Sequence, residues 1–193
     1  MAAKALPTPD ALRQLLDYDP DTGLMLWRER DASLFAPGRY GSEVTCRAWN
    51  TQFAGAEAFI TRDVDGYRVA GFGGRLLKGH RVAFAVHHGR WPVGDLDHIN
   101  GVRDDNRIAN LREVTSQQNA RNRRSCVGST SRFKGVAWKA KDRRWQASIG
   151  DCGKYHHIGS FACETSAAIA YDRAARVLHG EHARLNINEP RQD

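Results

Sequence analysis

The residues best equipped for chemistry lie between positions 94 and 124, GDLDHINGVRDDNRIANLREVTSQQNARNRR. An Asp97-His98 pair is followed by an Asn100-Gly101 turn, then Asn106 and Asn110, and then the strand-like run LREVT. Thr115 or Ser116 is placed to cap a helix carrying Gln118, Asn119 and Asn122. Strand, loop, strand and helix in that order would let several polar groups converge. Asp and Asn supply the oxygen ligands a hard cation prefers. A neutral His beside a phosphate held on such a cation can take a proton from water. Two plainer readings compete. The loop lacks the D-x-D-x-D-G order and closing Glu of an EF-hand, which removes that calcium motif. Asn, Asp and Gly are also ordinary turn residues, so the Asp-His pair alone is weak evidence.

The elements that must position these residues divide the chain into parts: an N-terminal segment, 1–62, to which the sequence gives no role; a core, 63–124; a short Gly/Ser-containing linker, 125–130; and a module, 131–189. PDALRQLL (9–16) reads as a short helix, LMLWRER as a strand, and 31–62 as mixed turn and strand, with GRYGSE as a loop. VDGYRVAGFGG reads as a hairpin ending in glycines, and its GFGGR string as a tight turn rather than a phosphate loop. HRVAFAVHHGRWP reads as a helix closed by Gly89 and barred by Pro92. His80 has two readings, a group near the site or a packed helix residue, and His87 and His88 read as a helix end. In the module, FKGVAWKA, RWQASIG and KYHHIGSF read as strands and ETSAAIAYDRAARVLHG as a helix with Ala167, Tyr171, Ala174, Ala175 and Leu178 on one stripe. His156 and His157 are neighbours on a strand and point to opposite faces, so they make a poor metal pair. The expected fold class is α+β: a ββα core followed by a three-stranded antiparallel sheet packed on one helix.

Charge narrows the partner. The chain has 193 residues and a net charge of +7. Residues 1–66 hold 7 basic and 10 acidic side chains, so the excess lies in the remainder. Its densest stretch, Arg121 to Arg144, has nine basic residues and one acid, interleaved with Phe133, Trp138 and Trp145. A solvated cationic face is the plain alternative, but aromatics among cations suit a nucleic acid better. No run of about 18 apolar residues is present, which excludes a membrane helix, and the N-terminus has no apolar signal core. Cys46, Cys126, Cys152 and Cys163 form no C-x-x-C pair, so a reducing cytoplasm is expected.

The pattern D-H-x-N-G followed by D-N-R-x-x-N-L-R, over residues 63–124 with His80-Arg81 upstream, resembles the core of HNH nucleases of the phage and intron homing type. The resemblance implies a ββα-metal fold that hydrolyses phosphodiesters. It implies His98 as general base, Asp97 as metal ligand, and Asn110 as the residue that fixes the loop and orients the histidine. Asn119 falls at the closing ligand position, with Asn122 as runner-up. Asn in place of a closing His implies weakly held Mg²⁺ or Mn²⁺ rather than tightly held zinc. Residues 131–188 resemble the plant Apetala-two/ethylene-response-factor DNA-binding domain through G-V-x-W, W-x-A-x-I, G-x-F, A-Y-D-x-A-A and L-N elements in order. That resemblance implies a sheet laid in the major groove of double-stranded DNA, with Lys134, Trp138, Lys139, Arg144, Trp145, Lys154, Tyr155 and His157 as candidate contacts. The preceding Arg121, Arg123 and Arg124 join them through charge. Ala137 and His157 stand where the plant pattern has Arg and Trp, so the plant target sequence does not carry over. Gly135, Ala147, Gly159, Ala170 and Ala174 read as close packing, and Trp138 and Trp145 fit packing as well as contact. The expected function is a targeted metal-dependent DNA endonuclease, monomer or homodimer. The alternatives are a DNA-binding regulator with an inactive nuclease core, and an RNA-binding protein.

Overall fold

A computed structural model of the chain describes residues 5–122 and 128–187. The fold class is α+β, and the chain divides into two compact units, Met1–Glu113 and Val114–Asp193.

In the first unit, α1 (Pro9–Leu15) begins at Thr8, whose hydroxyl accepts from the Ala11 amide at 3.2 Å. A proline at the first helical position costs no hydrogen bond, and this explains the sharp start. Strands β1 (Leu16–Tyr18) and β2 (Met25–Trp27) pair antiparallel around a DPDTG turn. Helix α2 (Ser42–Phe53) follows within the segment that the sequence reads as turn and strand. Its helical character was hidden by β-branched Val44, Thr45 and Thr51, and by an N-terminus at Gly41 that has no side-chain cap. The loop expected at GRYGSE therefore ends at Gly41, and Ser42 and Glu43 already belong to the helix.

Strands β3 (Thr61–Arg62), β4 (Arg68–Phe72) and β5 (Arg75–Lys78) form a sheet in that order. Gly73-Gly74 is the two-residue turn between β4 and β5, as the hairpin reading requires. Helix α3 (Gly79–His88) ends on Gly89 in the left-handed region. Its Val82, Ala83 and Ala85 are fully buried, and they pack with Leu12, Leu16, Met25, Ala58, Phe59, Leu77 and Leu111 in one core. Half of that core comes from the first 62 residues, so the segment without a sequence-derived role is part of the folded unit that carries the site. Strands β6 (Asp95–His98) and β7 (Leu111–Val114) then pair as a two-stranded ribbon.

In the second unit, α4 (Ser116–Arg121) opens on Thr115 with a complete capping box to Gln118. It ends at Arg121, so Asn122 is the C-cap residue and not a helical one. Strands β8 (Val136–Lys139), β9 (Arg144–Asp151) and β10 (Lys154–Phe161) form an antiparallel sheet in the order β10-β9-β8 against α5 (Glu164–His179). Ala167, Ala168, Tyr171 and Ala175 are the buried face of α5. Leu178, which the sequence stripe included, is 40% exposed, and Asp172 and His179 are buried instead. Both carboxylate oxygens of Asp172 are used: they accept from the Asn186 and Ile187 amides at 2.8 Å each. Asn186 in turn clasps Lys134, accepting from its amide at 2.7 Å and donating to its carbonyl at 3.0 Å. The L-N element near the C-terminus is thus a clasp that ties the end of the module to the start of β8.

Small residues let α5 lie close to the sheet. At Gly135 (φ +73) a Cβ would fall 2.2 Å from the Tyr171 ring and 2.5 Å from the Ser148 carbonyl oxygen. Neither partner can yield cheaply, since one is core and the other is backbone. Gly135→Ala is therefore expected to lower stability by about 3 kcal/mol or more, read as a fall in the urea midpoint of the full chain. An unchanged midpoint would contradict this close approach.

Candidate nuclease site and nucleic-acid face

The loop between β6 and β7 is closed by one side chain. Asn110, 7% exposed, accepts from the Asn100 amide through Oδ1 at 3.0 Å and donates through Nδ2 to the Asp105 carbonyl at 2.9 Å. Its backbone oxygen accepts from Ile99 at 2.9 Å. An amide suits this position, because it carries a donor and an acceptor on separate atoms and so reaches both limbs of the loop at once. The turn itself is reinforced: the Gly101 amide bonds the His98 carbonyl at 2.8 Å, and Asn100 Oδ1 accepts from Val102 at 2.8 Å. Asp105 accepts from Arg107 at 2.6 and 2.8 Å, and this pairing holds its carboxyl down at about 2.

His98 is the last residue of β6 and is 4% exposed. Its Nε2 lies 3.4 Å from Asn106 Oδ1. The His80 ring stands edge-on to it at 5.1 Å, and the Tyr67 ring lies 5.9 Å away. Burial pushes the His98 imidazole below its ordinary value, which keeps it neutral at pH 7. His80 is pushed down to about 3, first by burial, then by the cost of protonating two adjoining imidazoles and by the Lys78 charge. Both readings of His80 hold, since it is a buried residue of α3 and it stands beside His98. His87 and His88 do lie at a helix end.

Asp97, 6% exposed, receives Arg112 across the ribbon: Nη2 and Nε both reach Oδ2, at 2.8 and 3.1 Å. Such a two-pronged pair fixes the carboxylate's orientation. Arg112 and Tyr67 were not singled out by sequence reasoning. Arg112 stands in the N-L-R run, where alternation on a paired strand could have pointed to it, whereas nothing local marks Tyr67. Asp97, His98 and Asn110 thus come together in the first unit. Asn119 is half-buried on α4 and Asn122 is buried at its C-cap, both in the second unit. Among the described residues no group of three His, Cys, Asp or Glu side chains converges.

In the second unit the register sorts the expected DNA contacts by face. Val136, Ala147 and Ile149 point to α5. Trp138 pairs with Trp145 on that same face, their rings 5.1 Å apart and edge-on, and Trp145 packs against the core. The opposite face of the sheet carries Lys139, Arg144, Tyr155 and His157, all exposed, together with Gln146 and Ser148. Gln146 and Ser148 went unnoticed in the sequence, although W-x-A-x-I alternation would have found them. Lys154 is exposed at the β9-β10 turn. Arg121 pairs with Asp151 at 2.6 Å, and the Lys134 ammonium donates to the Ala120 and Arg121 carbonyls at the end of α4. Arg123 and Arg124 lie outside the described residues, as does Cys126. The three described cysteines are free thiols. Among the described residues no helix is long and apolar enough to cross a membrane.

With this geometry in place, comparison with known proteins gives the class. A family model described as HNH endonuclease matches residues 78–121. Protein 3.8 of Escherichia phage T7 is 32% identical over 90 residues, which cover 47% of this chain and 74% of that protein. A protein of Acanthamoeba polyphaga mimivirus named as an uncharacterized HNH endonuclease is 35% identical over 91 residues, covering 47% and 46%. The chain belongs to the HNH endonuclease family. It is also similar to APETALA2-like protein 2 of Oryza sativa subsp. indica, 38% identical over 77 residues that cover 40% of this chain, and it spans 17% of that relative's length. These matches agree with an HNH segment accompanied by an AP2-like domain. Nucleases of this family generally use a divalent metal ion.

The buried His80 gives stability a pH dependence. Its folded value, about 3, lies below its ordinary 6.5. Between those values the unfolded chain binds the extra proton, so stability is full above pH 6.5 and falls as pH drops toward 3. At pH 5 the loss attributable to His80 is expected to be about 2 kcal/mol. Urea midpoints at pH 7 and pH 5 should therefore converge in His80→Gln relative to the unsubstituted chain. Equal pH slopes in the two proteins would rule this out.

Proposed function

We propose that the protein is a metal-dependent DNA endonuclease that hydrolyses a phosphodiester bond, held on double-stranded DNA by its C-terminal sheet. The observation that carries this reading is a neutral, buried histidine beside a buried carboxylate, both fixed at the end of β6 by a loop that Asn110 closes. A neutral imidazole has one lone pair with which to take a proton from the attacking water. His98 would therefore be the catalytic base, and Asn110 would keep its backbone in place.

Asp97 offers an anionic oxygen oriented by Arg112, and Asn119 an amide oxygen. This all-oxygen set with a single charge fits Mg²⁺ or Mn²⁺, which retain several waters, better than a closed zinc site rich in His and Cys. When bound, the ion would stabilise charge on the scissile phosphate and the leaving 3′ oxygen. Asp97 would hold it in the first unit, and Asn119 is the closing ligand that the resemblance to HNH nucleases implies.

For DNA, the supporting observation is the exposed face of the second sheet. Lys139 and Arg144 sit directly across from each other, and among the described residues neither has an ion-pair partner. Like charges facing across a strand pair destabilise a sheet; a phosphate backbone would relieve them. Tyr155 and His157 share that face, and Gln146 and Ser148 add groups able to read base edges. Lys154 would reach a phosphate from the turn. With one centre per chain, a monomer would nick one strand and a homodimer would cut both.

The test uses purified full-length protein on supercoiled plasmid with Mg²⁺, Mn²⁺ or EDTA. Nicking should require the metal, and His98→Ala should slow it by about 10²-fold or more while gel-shift affinity stays close to that of the unsubstituted chain. Cutting by His98→Ala at the normal rate would exclude the base role, and binding without any metal-dependent cutting would favour an inactive regulator. If Lys139, Arg144 and Lys154 hold phosphates, affinity should fall by about 40-fold between roughly 50 and 200 mM salt. A flat response would make the basic face mere solvated surface.

A further inference from the structure

Asn106 is the deepest polar residue of the loop, 2% exposed against 4% for His98 and 7% for Asn110. Amides at such depth are normally bonded at both ends. Asn106 is bonded at one: Oδ1 lies 3.4 Å from His98 Nε2, while Nδ2 has no partner among the described residues. An apolar side chain would avoid the cost of that orphaned donor, so the retained amide calls for another explanation. Its oxygen has only one partner of use in view, the imidazole.

The backbone around Asn106 is held from outside the motif. Tyr18 Oη donates to the Asn106 carbonyl at 2.8 Å, and the Ile108 amide donates to the Pro20 carbonyl at 3.0 Å. Gly23 (φ +75) lies so close that a Cβ there would be 2.6 Å from the Asn106 carbonyl carbon and 2.5 Å from the Arg107 nitrogen. The turn between β1 and β2 therefore presses on the residue that touches His98. Gly79, at the start of α3, closes the other side: a Cβ there would stand 3.1 Å from Asn106 Nδ2.

We propose that Asn106 is a positioning residue for His98, its side-chain oxygen accepting from Nε2–H so that the lone pair stays on Nδ1, and that the Tyr18–Gly23 turn is the brace that keeps it there. A neutral imidazole has two tautomers, and an acceptor at Nε2 selects the one with its proton there. The uncharged amide does this at Nε2, so the proton that a general base takes from water would arrive at Nδ1. The inference rests on the reading of His98 as general base, and it gives the N-terminal segment a part in the chemistry.

The test compares Asn106→Ala, Asn106→Asp and Tyr18→Phe in the full chain. It measures single-turnover plasmid nicking with Mn²⁺, DNA affinity by gel shift, Mn²⁺ affinity by the paramagnetic signal of the free ion, and melting temperature. Asn106→Ala should slow the cleavage step by about 10- to 100-fold, with DNA and Mn²⁺ affinity within about twofold of the unsubstituted chain. Asn106→Asp, whose carboxylate can still accept from Nε2–H, should recover most of that rate. Tyr18→Phe should slow cleavage without touching either affinity. The proposal is overturned if Asn106→Ala cuts at full rate, if Asp is as slow as Ala, or if binding and cutting fall together. Should Asn106→Ala fail to fold, Asn106→Ser, too short to reach the ring, takes its place with the same expected and overturning results. His98→Ala, run in parallel, separates the two readings: if it still cuts, the base assignment itself fails, whatever the Asn106 variants do.

Discussion

A chemical group can be held to a fraction of an ångström on an irregular loop only if the loop's backbone hydrogen bonds are all accounted for. In this protein the accounting runs through Asn110. Its side chain and backbone tie Ile99 and Asn100, just past the histidine, to Asp105 on the far limb of the loop. A carboxylate at that position would lack the donor, and a hydroxyl would lack the reach. Asp97 and His98 are rigid because the residues after them are stapled, and Arg112 on the paired strand then fixes the carboxylate.

A two-stranded ribbon is not stable alone in water, so the motif depends on what it leans against. Leu111 joins a core whose other members come from α1, the β1-β2 hairpin, the Ala58-Phe59 stretch, β5 and α3. The N-terminal residues are therefore as much a part of the site as the motif is. They supply the apolar burial, and through Tyr18, Pro20 and Gly23 they also supply specific contacts to the loop. The same turn chemistry that read as a mere connection, DYDPDTG, has its glycine where a loop of the motif passes at contact distance.

What was legible in the sequence was local or periodic. The hairpin closed at Gly73-Gly74, α3 with its Gly89 cap, the helix start at Thr115, one of two caps the sequence offers, and the three strands with their helix all rest on short-range rules, and all are present. Helix α2 escaped because its residues are poor helix formers and its packing partners lie elsewhere in the chain. Leu178 falls outside the buried stripe because in the last turn of α5 it is His179 that faces β9, reaching the Gly150 carbonyl at 3.0 Å. Trp138 and Trp145 were ambiguous until strand register put them with the helix. The contacts that set the site, Arg112 to Asp97, Asn106 to His98 and Tyr18 to Asn106, span 15, 8 and 88 residues; strand alternation points only to the first, and the other two have no periodic signal.

The basic stretch from Arg121 to Arg144 likewise divides once the fold is known. Arg121 is neutralised by Asp151, and Lys134 caps the carbonyls at the end of α4. A cation already satisfied by the protein releases few counterions when DNA arrives, because breaking its internal pair offsets the gain. Lys139 and Arg144 are different: they face each other on an exposed sheet face with no ion-pair partner among the described residues, and Tyr155 and His157 lie alongside. The fold thus spends part of the charge on holding α4 within its unit and leaves the remainder where a polyanion can use it. A count of basic residues overstates the number of phosphates such a surface can neutralise; the geometry sets the smaller number.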